Sequence, residues 1–192
     1  MQTIRFRVTG FSPLLMHNPA GSMKGASSAM GTSKIPTAEE EAKRGTYKMP
    51  SGQLFVPSEA FRSSMIDGAS GQKIGKFGAP GRIGGTTFVT TEECPLVHPT
   101  TGDAITEYVV DTRRAVVQGN GILRSRPKIL EWATEVEFEY DPDFVPATAL
   151  VEAFTIAGRA VGVGDYRPRP PKGPKAGKGG PFGRYTVERL AA

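Results

Sequence analysis

From the end of an apolar stretch at 146–158 into an alternating run at 184–190 runs GRAVGVGDYRPRPPKGPKAGKGGPFGRYTVER, residues 158–189. Its glycines and prolines fit neither a helix nor a strand interior, so they impose a long loop between a last helix and a last strand. The segment holds Arg159, Arg167, Arg169, Lys172, Lys175, Lys178, Arg184 and Arg189 against only Asp165 and Glu188, a local charge of +6 in a chain of net charge +5. The remainder is close to neutral, so basicity is a local property, as expected of a surface that meets a polyanion. Glycines at Gly162 and Gly164 allow positive φ and close approach of backbone N–H groups to an anion.

The 192 residues suit one domain with a sizeable insertion. An apolar share of 38%, with 24 glycines and 16 prolines, predicts long loops around a modest core. A lone cysteine, Cys94, excludes an intrachain disulfide, and with His17 and His98 it makes no structural zinc site without carboxylates. No metal or cofactor is expected. The cysteine usage points to a reducing, cytoplasmic setting. The start, MQTIRFRVTG, alternates instead of forming a leader's apolar core, and no run is long enough for a membrane span, so a soluble protein without a membrane partner is expected.

Residues 2–9 alternate with Ile4, Phe6 and Val8 on one face, the period of a half-buried strand. Residues 18–50 read as a flexible insertion, with a short helix over 37–44 opened by a Thr37/Glu40 capping box. A short strand at 54–56 leads into SEAFRSSMIDGAS, a helix with Ser58 as N-cap, Ala60, Phe61, Met65 and Ile66 buried, and Gly68 and Gly71 as stops. Residues 71–85 form a second glycine-rich loop. A strand is expected at 86–91 and a hairpin over 104–128 turning at Gly119-Asn120-Gly121. An acid-faced strand follows at 134–140, with Val136, Phe138 and Tyr140 against Glu135, Glu137 and Glu139, then a helix at 146–158 that ends on glycine. Trp132 reads as core or a sheet-edge anchor. The order β, insertion, α, hairpins, β, α, glycine loop, β describes an α+β fold with a ferredoxin-like or RRM-like antiparallel sheet and two helices.

Gly162-Val163-Gly164 is not a dinucleotide fingerprint, because a helix precedes the glycines, Arg167 stands in place of the third, and prolines follow. The phosphate loop GxxxxGK(S/T), HExxH and GxSxG are also missing from the sequence. Three basic segments stand out instead: Lys73, Lys76 and Arg82; Arg113, Arg114, Arg124, Arg126 and Lys128; and Arg167, Arg169, Lys172, Lys175, Lys178 and Arg184. Tyr166, Phe182 and Tyr185 offer flat faces for unpaired bases, each worth on the order of 1–3 kcal/mol if used. Residues 172–180 equally fit a solvated linker, and the basic hairpin equally fits an edge strand protected by charge. Taken together the three segments suggest a track for a nucleic-acid backbone. His17, just after the first strand, is the candidate general acid or base, against the plainer reading of a surface histidine, and His98, in a Pro-Thr-Thr-Gly turn, is a weaker one.

A first strand followed by FSPLL, a helix introduced by LFVPSEAFRSSM, and a helix leading through GVGDYRP, a variable basic loop and GPFGRYTV to a final strand resemble the RAMP superfamily of CRISPR-associated proteins. The resemblance is greatest to the backbone subunits that polymerise along guide RNA. It implies a ferredoxin-like or RNA-recognition-type core, a glycine-rich loop that includes Gly162, Gly164, Gly183 and Arg184, and a thumb-like hairpin over 113–128. The expected function is non-catalytic binding of single-stranded RNA or DNA by a repeating subunit, in a CRISPR system or as a stand-alone phage or mobile-element relative. The partners are then the strand and other copies of the chain. A metal-independent RNA endonuclease using His17 and a phage structural or assembly protein are the alternatives.

Overall fold

The computed structural model describes residues 1–23, 36–117, 120–168 and 179–191. Strand β1 (Gln2–Gly10) buries Ile4, Phe6 and Val8 as its alternation predicts. It leads to β2 (Leu14–Leu15), the short helices α1 (Pro19–Met23) and α2 (Ala38–Arg44), and β3 (Phe55–Pro57). Next come α3 (Ser58–Gly68), the small hairpin β4 (Lys73–Ile74) and β5 (Phe77–Gly78), α4 (Ala79–Thr86), β6 (Thr87–Val89) and β7 (Glu93–Pro95). The long hairpin is β8 (Val109–Val117) and β9 (Asn120–Ile129), and the chain closes with β10 (Ala133–Tyr140), α5 (Ala147–Ala160) and β11 (Tyr185–Arg189).

The principal sheet has the order β11-β1-β10-β6 with every neighbouring pair antiparallel. The path β1-α3-β6-β10-α5-β11 is therefore a β-α-β-β-α-β unit in which the first strand lies between the fourth and the third, and the protein is α+β. One face of this sheet is closed by α3 and α5. Leu150, Ala153, Phe154 and Ala157 make the apolar stripe of α5 at i, i+3, i+4 and i+7. Phe154 stacks edge-on to Phe6 at 5.1 Å and to Phe138 at 5.7 Å, while Phe61 of α3 meets it at 6.3 Å. A second sheet, β2-β9-β8, stands beside the first, with Leu14 paired to Ile129. Among the described residues no helix is long and apolar enough to cross a membrane.

Several local expectations change. Ser58 is the first residue of α3 and not its cap; its hydroxyl is buried 3.1 Å from the Cys94 sulfur. The glycine-rich loop expected at 71–85 folds instead into β4, β5 and α4. Pro80 opens that helix, and burial of Ala79 and Ile83 on one face offsets the poor propensity of its glycines. The expected strand over 104–108 is a single bridge from Ala104 to Val97, so β8 starts only at Val109. The hairpin forms, and part of its expected turn, Gly119, lies outside the described residues. Of the expected insertion, residues 36–50 hold α2, which carries the predicted capping box: Thr37 Oγ1 accepts from the Glu40 N–H, and Glu40 Oε2 from the Thr37 N–H. Residues 24–35 lie outside the described residues.

Helix α5 does not stop at Gly158. It continues to Ala160, and the N–H groups of Val161 and Gly162 both donate to the Ala157 carbonyl before Gly162, at φ +71°, turns the chain. Gly158 serves packing: a Cβ there would lie 2.1 Å from the Tyr185 carbonyl oxygen of β11. Gly158→Ala is expected to destabilise the fold by about 2–3 kcal/mol through forced separation of helix and strand. Gly81→Ala, on an α4 position facing open space, should be neutral or stabilising by up to about 1 kcal/mol. Urea unfolding of the two variants measures the contrast, and equal stabilities would contradict the packing role.

Candidate nucleic-acid interface

The two described arms of the glycine-rich segment, 162–168 and 179–184, lie side by side. Val163 N–H donates to the Gly183 carbonyl at 2.9 Å, Phe182 N–H to Tyr166 at 3.3 Å, and Gly180 N–H to Arg167 at 3.0 Å. The arms also clasp the chain between β1 and β2, through Gly183 N–H to Pro13 and Asp165 N–H to Leu15, at 2.8 and 2.9 Å. Gly183, at φ +66°, has no room for a Cβ against the Val163 carbonyl. The glycines thus allow backbone to meet backbone, and these N–H groups are used inside the fold and not aimed at an anion. Tyr166 is the only described non-glycine residue at positive φ.

The three candidate stacking rings are placed differently from the expectation. Tyr185 is fully buried among Phe61, Trp132 and Phe154, and its hydroxyl lies 3.0 Å from Ser64 Oγ, which donates to the Gly162 carbonyl at 2.9 Å. Burial pushes its phenol pKa well up. Phe182 is buried beneath the Arg113 guanidinium at 4.5 Å. Tyr166 is half-buried under Arg113 and Arg126, at 5.4 and 5.0 Å, and its hydroxyl donates to the Arg114 carbonyl at 3.0 Å. Their residue types suggested base platforms. The apolar alternation of β11 takes Tyr185 inward, and the hairpin's own cations cover the other two rings.

Those cations are also largely neutralised. Asp111 is buried and takes Arg113 through both carboxylate oxygens, with Lys128 Nζ at 3.3 Å. Glu41 of α2 accepts from Arg124 and from the Ser125 N–H, both at 2.9 Å. Asp165 pairs with Arg126. Only Arg114, exposed and lying across Gly121, makes no ion pair among the described residues of this hairpin. Asp111 was legible in the sequence, two residues from Arg113 on the same strand face. Glu41 and Asp165 reach the hairpin only through tertiary packing. So does Ser12, whose hydroxyl accepts from the Arg184 N–H and whose carbonyl accepts from Trp132 Nε1, both at 2.9 Å.

At the same end of the molecule Arg167 and Arg184 donate to carbonyls and not to acids: Nη1 of Arg167 to Gly162 at 3.5 Å, and Nε of Arg184 to Arg159 at 3.0 Å. Arg184 also covers Phe11 at 4.6 Å. Arg169, Lys172, Lys175 and Lys178 lie outside the described residues, but the chain leaves and returns at neighbouring points, Pro168 beside Gly179. The third basic segment is elsewhere. Arg82 lies between Phe77 and Phe144, at 4.1 and 5.4 Å, beyond the Tyr140 end of β10, whereas the hairpin and glycine segment adjoin its Ala133 end. Lys73 and Lys76 are exposed there, so a single track through all three segments is not formed.

The uncovered sheet face presents Arg5 and Arg7 with Glu135, Glu137, Glu139 and Glu188, and on the edge Phe88. Arg5 pairs with Glu135 at 2.8 Å and with Glu137 at 3.7 Å. The face is acidic on balance, and β1 and β10 offer it no aromatic ring, unlike sheets that stack RNA bases. His17 is exposed, and its carbonyl accepts from the Tyr47 hydroxyl at 3.4 Å. His98 instead pairs with Glu131 at 3.1 Å. No group of three or more His, Cys, Asp or Glu residues suited to a metal occurs among the described residues.

The hydrogen bond from Arg113, reinforced by Lys128, holds the Asp111 carboxyl below its ordinary range. Its contribution to stability is therefore complete above the unfolded pKa of about 3.9 and is lost as pH falls through the depressed folded value. Asp111→Asn should lower the unfolding free energy by about 1–3 kcal/mol at pH 7. In urea titrations the gap to wild type should narrow steadily below about pH 4; a gap independent of pH would contradict the role.

A comparison with models of known protein families finds none that matches this chain, and a comparison with curated proteins likewise finds no match.

Proposed function

We propose that this protein is a non-catalytic binder of single-stranded nucleic acid, working as one of several identical subunits. One observation carries the reading: two basic segments far apart in sequence are joined at one end of the molecule, through the Tyr166 hydroxyl on the Arg114 carbonyl and Arg113 over Phe182. Arg114, Arg167 and Arg184 stand there without acidic partners among the described residues. Arg169, Lys172, Lys175 and Lys178 belong to the sequence that joins Pro168 to Gly179. The acidic open face repels a polyanion, which favours the looped end as the contact. Binding of this kind rests on phosphate charge and releases counterions, so it is salt-dependent and tolerant of sequence.

The strand order, the glycine-rich loop between the last helix and last strand, and the long hairpin all support a relation to RAMP backbone subunits within this proposal. The same features serve a stand-alone relative from a phage or mobile element.

Replacing Arg114, Arg167, Arg169 and Arg184 together by Ala should weaken binding of a fluorescein-labelled single strand at least about tenfold and lower the slope of log K against log salt by about 2–3. Glu139→Gln on the open face should leave both unchanged. Fluorescence polarisation with RNA and DNA oligonucleotides measures this, and an unaltered affinity and slope in the fourfold variant would overturn the assignment.

A further inference from the structure

The two ends of the molecule carry features that fit each other. At one end the hairpin β4–β5 turns through Gly75 and Lys76, with Gly75 at φ +61°, and presents Phe77 at 58% exposure. Arg82 lies over this ring at 4.1 Å, and with Lys73 and Lys76 it makes the projection basic, because residues 71–85 contain no acid. At the other end a cleft of about 310 Å³ opens beside the base of the long hairpin. Ile105, Tyr108, Val109 and Leu130 supply its apolar lining; Glu107 and Glu131 stand at it as exposed acids, Glu131 with Nε2 of the bordering His98 at 3.1 Å. Leu130 is 56% exposed and Val109 47%, although both are large apolar side chains. Lys128, which also borders the cleft, is held by Asp111.

We infer that the cleft receives Phe77 of a second copy of this chain, with Lys73 and Lys76 of that copy meeting Glu107 and Glu131. Charge selects the occupant: an apolar cleft beside two carboxylates favours an aromatic ring flanked by cations, and the chain itself displays one. Position determines the outcome. Projection and cleft lie beyond opposite ends of β10, eight residues or roughly 25 Å apart, so they cannot meet within one molecule. The contact is heterologous, head to tail, and either closes into a ring or continues as a filament. This rests on the repeating-subunit part of the proposed function and names the surface through which the repeat is built. Arg114, Arg167 and Arg184 are not among the residues that line the cleft.

The test uses the full chain, treated with nuclease and freed of nucleic acid, in sedimentation velocity over a range of concentrations. Wild type should associate beyond a dimer, whereas Phe77→Ser and, separately, Glu107→Lys with Glu131→Lys should each raise the concentration of half-association at least about tenfold. All the altered residues are exposed or border the cleft, and unchanged circular dichroism melting curves verify the fold. An equimolar mixture of the two variants has one intact projection and one intact cleft, so it should form a one-to-one dimer and stop there. Wild type that stays monomeric, variants that associate like wild type, or a mixture that stays monomeric would each overturn the inference. Because no strand is present, loss of association leaves the polarisation result above unaffected, and the two ideas fail separately.

Discussion

The buried hydroxyl of Tyr185 is where the core and the glycine-rich segment become one structure. Its ring is enclosed by Phe61, Trp132 and Phe154, and its oxygen meets Ser64, which in turn holds the Gly162 carbonyl. In a low-dielectric interior such a chain of hydrogen bonds is strong when complete and costly when broken. Moving the loop away from the sheet would break the Ser64–Gly162 bond and leave a buried carbonyl without that donor. The arms that carry the free cations therefore start from a rigid base, which lowers the ordering cost of meeting a ligand.

Charge is sorted across the surface with the same economy. The long hairpin looks like a pure cation source, yet three acids from three different elements hold four of its five cations in place. Those pairs shape the hairpin and fix it to α2 and to the glycine segment, so their role is largely architectural. The open sheet face is acid-rich, and its exposed ion pairs add little stability. What remains uncompensated is concentrated at the looped end, where local potential and not total charge guides an approaching anion.

The strands of the principal sheet and both sheet-covering helices were legible, most of them because their signals are periodic. Ile4, Phe6 and Val8, or Leu150, Ala153, Phe154 and Ala157, state their buried face directly. Thr37 and Glu40 announced a helix start by chemistry that acts over three residues. The failures share a cause. Ser58 satisfies every local rule for a cap but is claimed by Cys94, and the glycines of α4 signal a loop until Ile83 finds the core. Tyr185, Phe182 and Tyr166 have the composition of a binding surface, and tertiary contacts decide that two of them are interior. Glu41 and Arg124 are 83 residues apart, a pairing that no local pattern encodes.

The closure between Arg167 and Gly180 separates what the fold requires from what it merely carries. The hydrogen bonds at this neck join backbone to backbone, so they do not depend on which side chains stand between Pro168 and Gly179. The composition of that stretch is thereby under no constraint from the neck, and its charge can differ while the hydrogen bonds, and the core beneath them, stay as they are.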